Sequence, residues 1–337
     1  MSKKRDISKK IIEEAKSLGY IDCGITDISP FEKFEEKVIK RIKNYPESES
    51  FYKGLLNRID PLDRFSEAEA LVVCIWRYGQ YEIPGKVDKY IGKNYLFDGR
   101  NKYSENYQAR RQLEKYMDNL GLEYRKGGVP DRWAAVRAGV GNFGRNNFIY
   151  TEYGSWINVE TWLIDKKTDT VHENNNLPCP PDCRKCIDSC PTGALEAPFK
   201  MNPYKCIPFL TYDHPDLTPV KYREDMGTWL YGCDVCQNEC PLNEKKWSEN
   251  KEYPRLGKIA SRINPASIFG MDQSFFENEI NSRFFYIDDI VYWKMNALRA
   301  AANIGDEKYI DLMEKALKSD KNRIKKMAEW GIEKIQK

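Results

Sequence analysis

The sequence predicts an α+β protein in three consecutive parts, and three observations carry that prediction. Apolar runs of strand and helix character alternate from the N-terminus to about residue 165. Eight of the ten cysteines then crowd between positions 179 and 240, and after residue 285 the apolar pattern is helical only. The parts fall at 1–170, an α/β domain, at 171–250, a cysteine-rich domain, and at 251–337, a helical tail. With 337 residues the chain is long enough to bury two or three separate cores.

In the first part Ile11, Ile12, Ala15 and Leu18 recur at helical spacing and Gly19 follows as a stop, so residues 8–18 read as a helix. Residues 21–26 and 71–76 are short apolar runs rich in β-branched side chains, as buried strands are. Residues 104–120 read as a second helix closed by Gly121. Residues 148–150 and 156–164 read as strands joined by a turn at Tyr153-Gly154. The polar stretch 165–178 reads as a linker or long loop. Residues 179–245 have little periodic apolar content, so their core must be inorganic. In the tail, helices near 290–304, 306–319 and 322–336 are joined by tight turns at Gly305-Asp306 and Ser319-Asp320, the outline of one HEAT-type repeat with an additional helix.

Composition does not suggest disorder, since 41% of residues are hydrophobic and 13% aromatic. The net charge of +3 argues neither for nor against nucleic acid. The polar N-terminal segment lacks the apolar core of a signal peptide, and no run approaches the roughly 18 apolar residues of a membrane span. The chain is therefore read as cytoplasmic, with no membrane partner. Thiols stay reduced in that compartment, so clustered cysteines point to metal rather than to disulfides.

The first cysteine group is Cys179-x3-Cys183-x2-Cys186-x3-Cys190-Pro191. The second is Cys233-x2-Cys236-x3-Cys240-Pro241, with Cys206 between them. An iron–sulfur cube needs four thiolates around a compact centre, and in paired motifs the cysteine before proline ligates the other cluster. One [4Fe–4S] cluster thus takes Cys179, Cys183, Cys186 and Cys240, and the second takes Cys190, Cys206, Cys233 and Cys236. Paired structural zinc sites also use Cys-x2-Cys, but the x2-x3-Pro spacing is that of two-cluster bacterial ferredoxins. Cys179 departs from it by one residue. Cys23 and Cys74 lie in apolar runs and read as buried small hydrophobes.

At this point the chain resembles the epoxyqueuosine reductases, a family related to reductive dehalogenases. The matching segments are CIDSCPTGAL (186–195), CIPFLTYDH (206–214), YGCDVCQNECPLN (231–243), RAGVGNFGRNNFIY (137–150), YGSWINVETWLID (153–165), more loosely 99–117, and the tail helices at 295–317. The resemblance implies a cobalamin held between the first domain and the cluster domain, reached by electrons from cluster to cluster. It implies corrin contacts at Arg137, Ala138, Gly139, Gly141, Gly144, Arg145, Asn146 and Ser155. Gly139, Gly141 and Gly144 remove side chains where backbone must approach a flat macrocycle, and no helix follows them as a dinucleotide loop requires.

One feature departs from the family, which places an aspartate about a dozen residues before the AGxG segment as the proton donor. Here that place holds Arg125 or, aligned on Pro130, Gly127. The acidic residue that does match is Asp131, with an alternative reading as a structural partner of Arg132. Asp131, Tyr78 and Tyr103 are the candidate catalytic residues. The expected function is a cobalamin-dependent iron–sulfur reductase acting on a tRNA nucleoside or a diverged small substrate. The alternative is a ferredoxin-like carrier that reduces a corrinoid partner. Expected partners are an external electron donor of flavodoxin or ferredoxin type and tRNA, which the basic helices at 315–337 would meet.

Overall fold

The computed structural model describes residues 2–170, 179–214, 216–284 and 286–337. From 171 on, the linker read at 165–178 lies outside the described residues. The chain groups into two compact units, each made of separate stretches: Met1–Gln80 with Lys102–Arg184 and Cys240–Ser248, and Tyr81–Asn101 with Lys185–Glu239 and Glu249–Lys337. These units divide the chain differently from the three consecutive domains read from sequence. Among the described residues no helix is long and apolar enough to cross a membrane.

The first unit is built on a four-stranded sheet of order β1-β2-β6-β3, with β1 Asp22–Thr26, β2 Ala70–Arg77, β3 Tyr124–Lys126 and β6 Ile157–Ile164. Every neighbouring pair is antiparallel, with Cys23 opposite Cys74 and Cys74 opposite Glu160. This corrects the α/β reading of residues 1–170. Alternation of helices and strands along the chain does not fix strand direction, and the long 27–69 and 78–156 connections return the chain antiparallel, so the unit is α+β.

β2 is apolar from Ala70 to Trp76 because both its faces are covered. Ala70, Val72, Cys74 and Trp76 face α1 (Ser2–Ser17) and α3 (Glu105–Asn119), which contribute Ile11, Ala15, Ala109, Leu113 and Met117. Leu71, Val73 and Ile75 face Ala134, Ala135 and Ala138 at α4 (Asp131–Arg137). α2 is Glu32–Asn44. Gly24 is required where α4 ends, since a Cβ there would stand 2.6 Å from the Ala138 carbonyl oxygen.

A small hairpin follows α4. β4 (Asn142–Phe143) pairs antiparallel with β5 (Ile149–Tyr150), so residues 148–150 pair backward and not across the Tyr153-Gly154 turn with β6. The turn itself is present, closed by Thr151 and Gly154.

The second unit holds two short helices, α5 (Lys185–Asp188) and α7 (Val235–Asn238), with the β7–β8 hairpin (Leu195–Ala197, Lys200–Met201) and α6 (Ile207–Tyr212). The tail is helical as expected: α8 Ile290–Ile304, α9 Ile310–Leu317 and α10 Asn322–Ile335, packed through Leu298, Ala302, Met313, Ile324 and Met327. Gly305 ends α8 in the left-handed conformation, φ 72°.

A buried carboxylate ties the sheet of the first unit to its helices. Glu160 accepts from the Tyr20 hydroxyl at 2.6 Å and Asn106 Nδ2 at 3.0 Å, and pairs with Arg110 at 3.3 Å and Lys126 at 3.4 Å. Removing one partner of a buried charged network leaves the others unpaired. Glu160→Ala is expected to destabilise the protein by about 3–5 kcal/mol, read from thermal or urea unfolding followed by circular dichroism.

Candidate metal centre

Cysteine placement starts from short turns that carry one thiol each. In the second unit α5 carries Cys186 and α7 carries Cys236, and the two helices pack on each other. Cys186, Ile187 and Leu195 form a small core against which Cys190 and Cys236 pack. Cys206 precedes α6, and Cys233 enters from a stretch where Tyr231 bridges Ile91.

The four thiols assigned to the second cluster form one electrostatic group. Burial pushes the Cys206 thiol up to about 12, and Cys190 adds to the shift. Burial likewise raises Cys233 and Cys236, each further raised by Cys206 and Cys190. Buried thiols that raise one another are stable as thiolates only with a cationic centre among them, so the donor set fits an iron–sulfur cube. No three His, Cys, Asp or Glu side chains among the described residues are grouped so as to hold a single metal ion. One N–H already points at sulfur, from Val235 to Cys233 Sγ at 3.5 Å. Asp234 is 2% exposed and accepts from the Lys93 backbone at 2.7 Å, while burial raises its carboxyl to about 6 against the pull of Lys93.

In the first unit Cys240 has Cys179 and Cys183 as electrostatic neighbours, which brings together three of the four thiols assigned to the first cluster. Cys186 belongs to the second unit. The additional residue between Cys179 and Cys183 is absorbed by a turn from Pro180 to Cys183 with Asp182 in the left-handed region, φ 57°.

The β4–β5 hairpin has a role the sequence reading missed. Arg145 donates its backbone N–H to Cys179 Sγ at 3.4 Å and its Nη1 to the Cys183 carbonyl at 2.6 Å. Asn146 Nδ2 donates to the Tyr150 hydroxyl at 2.9 Å, and Tyr150 hydrogen-bonds Cys240, which lowers that thiol while burial raises it. The glycine spacing is also explained differently. A Cβ at Gly141 would stand 2.5 Å from Ile149 Cγ2, and one at Gly144 2.3 Å from Tyr150 Cε2, so both serve the close packing of the hairpin. Gly139 supplies the positive φ, 71°, that ends α4.

The other corrin candidates are held by the protein itself. Arg137 stacks over Phe31 at 3.7 Å and donates to the Ser29 and Pro30 carbonyls. Ala138 is fully buried. The Ser155 N–H donates to Asn243 Oδ1 at 2.7 Å, and Asn243 Nδ2 donates back to its hydroxyl at 2.9 Å. Two amide nitrogens of the first unit, Asn147 Nδ2 and Asn158 Nδ2, are buried with no acceptor among the described residues.

Asp131 opens α4 and accepts from the Thr161 hydroxyl at 2.7 Å, while burial raises its carboxyl above the usual range. Arg132 donates to the Asn147 carbonyl at 2.8 Å. Tyr78 is 1% exposed, packed edge-on against Trp156 and Trp247, whereas Tyr103 is 45% exposed, with Lys102 over its ring. Sealed and solvated positions thus separate these two tyrosines.

Residues 179–243 match the family model described as a 4Fe-4S double cluster binding domain. The chain is 30% identical over 266 residues to an epoxyqueuosine reductase of Bacillus subtilis (strain 168), covering 71% of this chain and 64% of that protein. The match therefore spans a little under two thirds of that relative's length. The fold is that of an epoxyqueuosine reductase solved with a tRNA-Tyr epoxyqueuosine-modified stem loop, with TM-score 0.80, 22% identity and coverage of 98% and 91%. A Bacillus subtilis epoxyqueuosine reductase, solved with its catalytic aspartate loop swung out of the active site, also superposes, with TM-score 0.80, 24% identity and coverage of 98% and 90%.

After anaerobic reconstitution the chain is expected to hold about eight irons and eight sulfides, two four-iron clusters. Cys206→Ser should reduce iron or alter the electron paramagnetic resonance of one cluster only, as measured by metal analysis and spectroscopy.

Proposed function

We propose that this chain, epoxyqueuosine reductase-like in sequence and in fold, is a cobalamin-dependent iron–sulfur oxidoreductase. Residues 1–170 would carry the corrin site, 171–250 the clusters and 251–337 the helical tail. The observation that carries this reading is the β4–β5 hairpin: the segment matching the family's corrin contacts is hydrogen-bonded through Arg145 to Cys179 and Cys183. One short hairpin would then serve cluster and cofactor together. When bound, the clusters and cobalamin would supply single electrons and a strongly reducing cobalt for removing oxygen from the substrate.

The chain's own residues supply binding and protons. Asn147 and Asn158 offer the two unpaired buried amides that a corrin's polar rim can satisfy. Asp131 is the proposed proton store, since burial makes its carboxyl hold a proton more tightly than usual. Tyr78 shields the site from water, and Tyr103 stands at the solvent side.

The proposed substrate is a modified tRNA nucleoside or a diverged smaller molecule, with tRNA met by the tail and electrons delivered by a flavodoxin- or ferredoxin-type donor. In the tail Lys321, Arg323 and Lys334 are paired with Asp320, Asp216 and Glu224. Lys315, Lys318, Lys326 and Lys337 are exposed without an ion pair among the described residues and are the ones left for phosphate.

Arg125 and Gly127 stand where the family has its aspartate. Arg125 is exposed with its guanidinium over Phe65, and Gly127 sits at φ 63° with open space beside it. Proton transfer from a positioned acid contributes about 10²–10⁴-fold. The protein is therefore expected to retain cobalamin but to convert epoxyqueuosine-containing tRNA slowly, and Gly127→Asp to raise that rate about 10²-fold. Rapid turnover by the unaltered chain would overturn the substrate expectation. Iron without retained cobalt would favour the electron-carrier reading.

A further inference from the structure

Helix α8 turns one face toward the second cysteine group, within the second unit. Trp293, Asn296, Arg299 and Asn303 recur three or four residues apart and meet the stretch 211–231. Trp293 stacks on Tyr231 at 5.2 Å and 2°. Asn296 Nδ2 donates to the Thr211 carbonyl at 2.8 Å and the Leu230 carbonyl at 3.0 Å. One amide thus ties the end of the helix that begins after Cys206 to the stretch that leads into Cys233. The Thr211 hydroxyl in turn accepts from Gly232 N at 3.1 Å. Asn303 Nδ2 donates to the Arg223 carbonyl at 2.7 Å and the Gly227 carbonyl at 2.8 Å.

Arg299 lies in the middle of this face and is fully buried. Nη1 donates to the Gly227 carbonyl at 2.8 Å, Nη2 to the Trp229 carbonyl, and Nε has no acceptor. No carboxylate pairs with it among the described residues. Its charged neighbour is another cation, Arg223, 6% exposed, whose Nε donates to the Thr218 carbonyl at 2.8 Å. Burial, with Arg223 adding, pulls the Arg299 guanidinium down to about 9. A buried cation without a counter-ion is costly, and an apolar side chain of that length would fill the space without the cost. Trp229, whose carbonyl Arg299 holds, packs on the same core as Cys233. Cys233 is one of the four thiols assigned to the second cluster, whose negative charge would grow by one electron on reduction.

We propose that Arg299 is a positioning residue whose fixed charge is the counter-ion of the second cluster and favours its reduced form. The inference rests on the two-cluster reading above. In the step concerned, a reduced flavin or iron–sulfur donor gives one electron to the cluster, and no bond forms or breaks. The guanidinium is unchanged, and its field is more favourable to the cluster carrying the added negative charge.

The test is a mediator titration of the full-length, anaerobically reconstituted chain, followed by electron paramagnetic resonance, with the second cluster assigned by Cys206→Ser. Arg299→Gln keeps an amide for the carbonyls and loses the charge. It is expected to shift the oxidised-to-reduced ratio of the second cluster roughly tenfold toward oxidised, about 59 mV for a one-electron couple. Arg299→Lys should stay close to the unaltered protein, and the first cluster should not move in either variant. An unshifted second cluster in an Arg299→Gln protein with full iron would overturn the proposal. Should that variant lose iron, Arg299→His decides: a potential that rises as pH falls through the imidazole range supports the charge, and one with the parent's pH dependence overturns it. Absence of two cluster signals in the unaltered chain would instead sink the two-cluster reading.

Discussion

Mutual repulsion of buried thiolates is the constraint on which the rest of the structure depends. Cys206, Cys233 and Cys236 come from two stretches of chain, and burial together with neighbouring thiols, Cys190 among them, raises the pKa of each. Iron would neutralise them as ligands of the proposed second cluster, but the polypeptide must hold them near one another first. The holding is done by groups that ligate nothing: Asn296 bridging two carbonyls, Asp234 fixing the Lys93 backbone, and Arg145 and Tyr150 at the first cysteine group. Their donors are aimed mainly at main-chain carbonyls, which fixes the path of the chain and leaves the sulfurs available.

The same economy appears in the β4–β5 hairpin. Its glycines admit the Ile149 and Tyr150 side chains, the tightened turn places Arg145 against Cys179 and Cys183, and the Tyr150 hydroxyl reaches Cys240. A substitution there would act on sheet packing and cluster geometry at once. Loss of activity in such a variant would therefore not by itself identify a cofactor contact, whereas iron content and cluster spectra measured beside activity separate the two.

The parts legible in the sequence were those where chemistry or periodicity leaves little choice. Cysteine spacing located the metal-binding segment, short apolar runs located β1 and β2, and helical periodicity with Gly305 located the tail. Strand direction was not legible because α1–β1–α2 alternation is compatible with parallel or antiparallel pairing, and only the Cys23–Cys74 and Cys74–Glu160 registers settle it. Arg299 and Asn296 gave no signal because their partners are main-chain carbonyls of residues 211–230, which any sequence would supply. That Arg145 and Asn146 also hold Cys179, Cys183 and Tyr150 was not legible, since hydrogen bonds to a distant cysteine loop leave no spacing pattern.

The proton donor follows a different logic from the clusters. A cluster site is closed by four ligands and tolerates little change, but an acid can be supplied from any position that reaches the substrate. Asp131 has the raised affinity for protons that an acid needs, and it spends one oxygen on Thr161 in the neighbouring strand. In the proposed role its other oxygen would be the part of the carboxyl left for proton transfer. Gly127, four residues earlier, has a left-handed backbone and empty space where a Cβ would project. A side chain can be accommodated there sterically, and aspartate tolerates that backbone better than most residues. Selection for another substrate could therefore remove an acid from this loop without disturbing the sheet beneath it, which is why the loop, and not the cysteine framework, is where a change of substrate would be written.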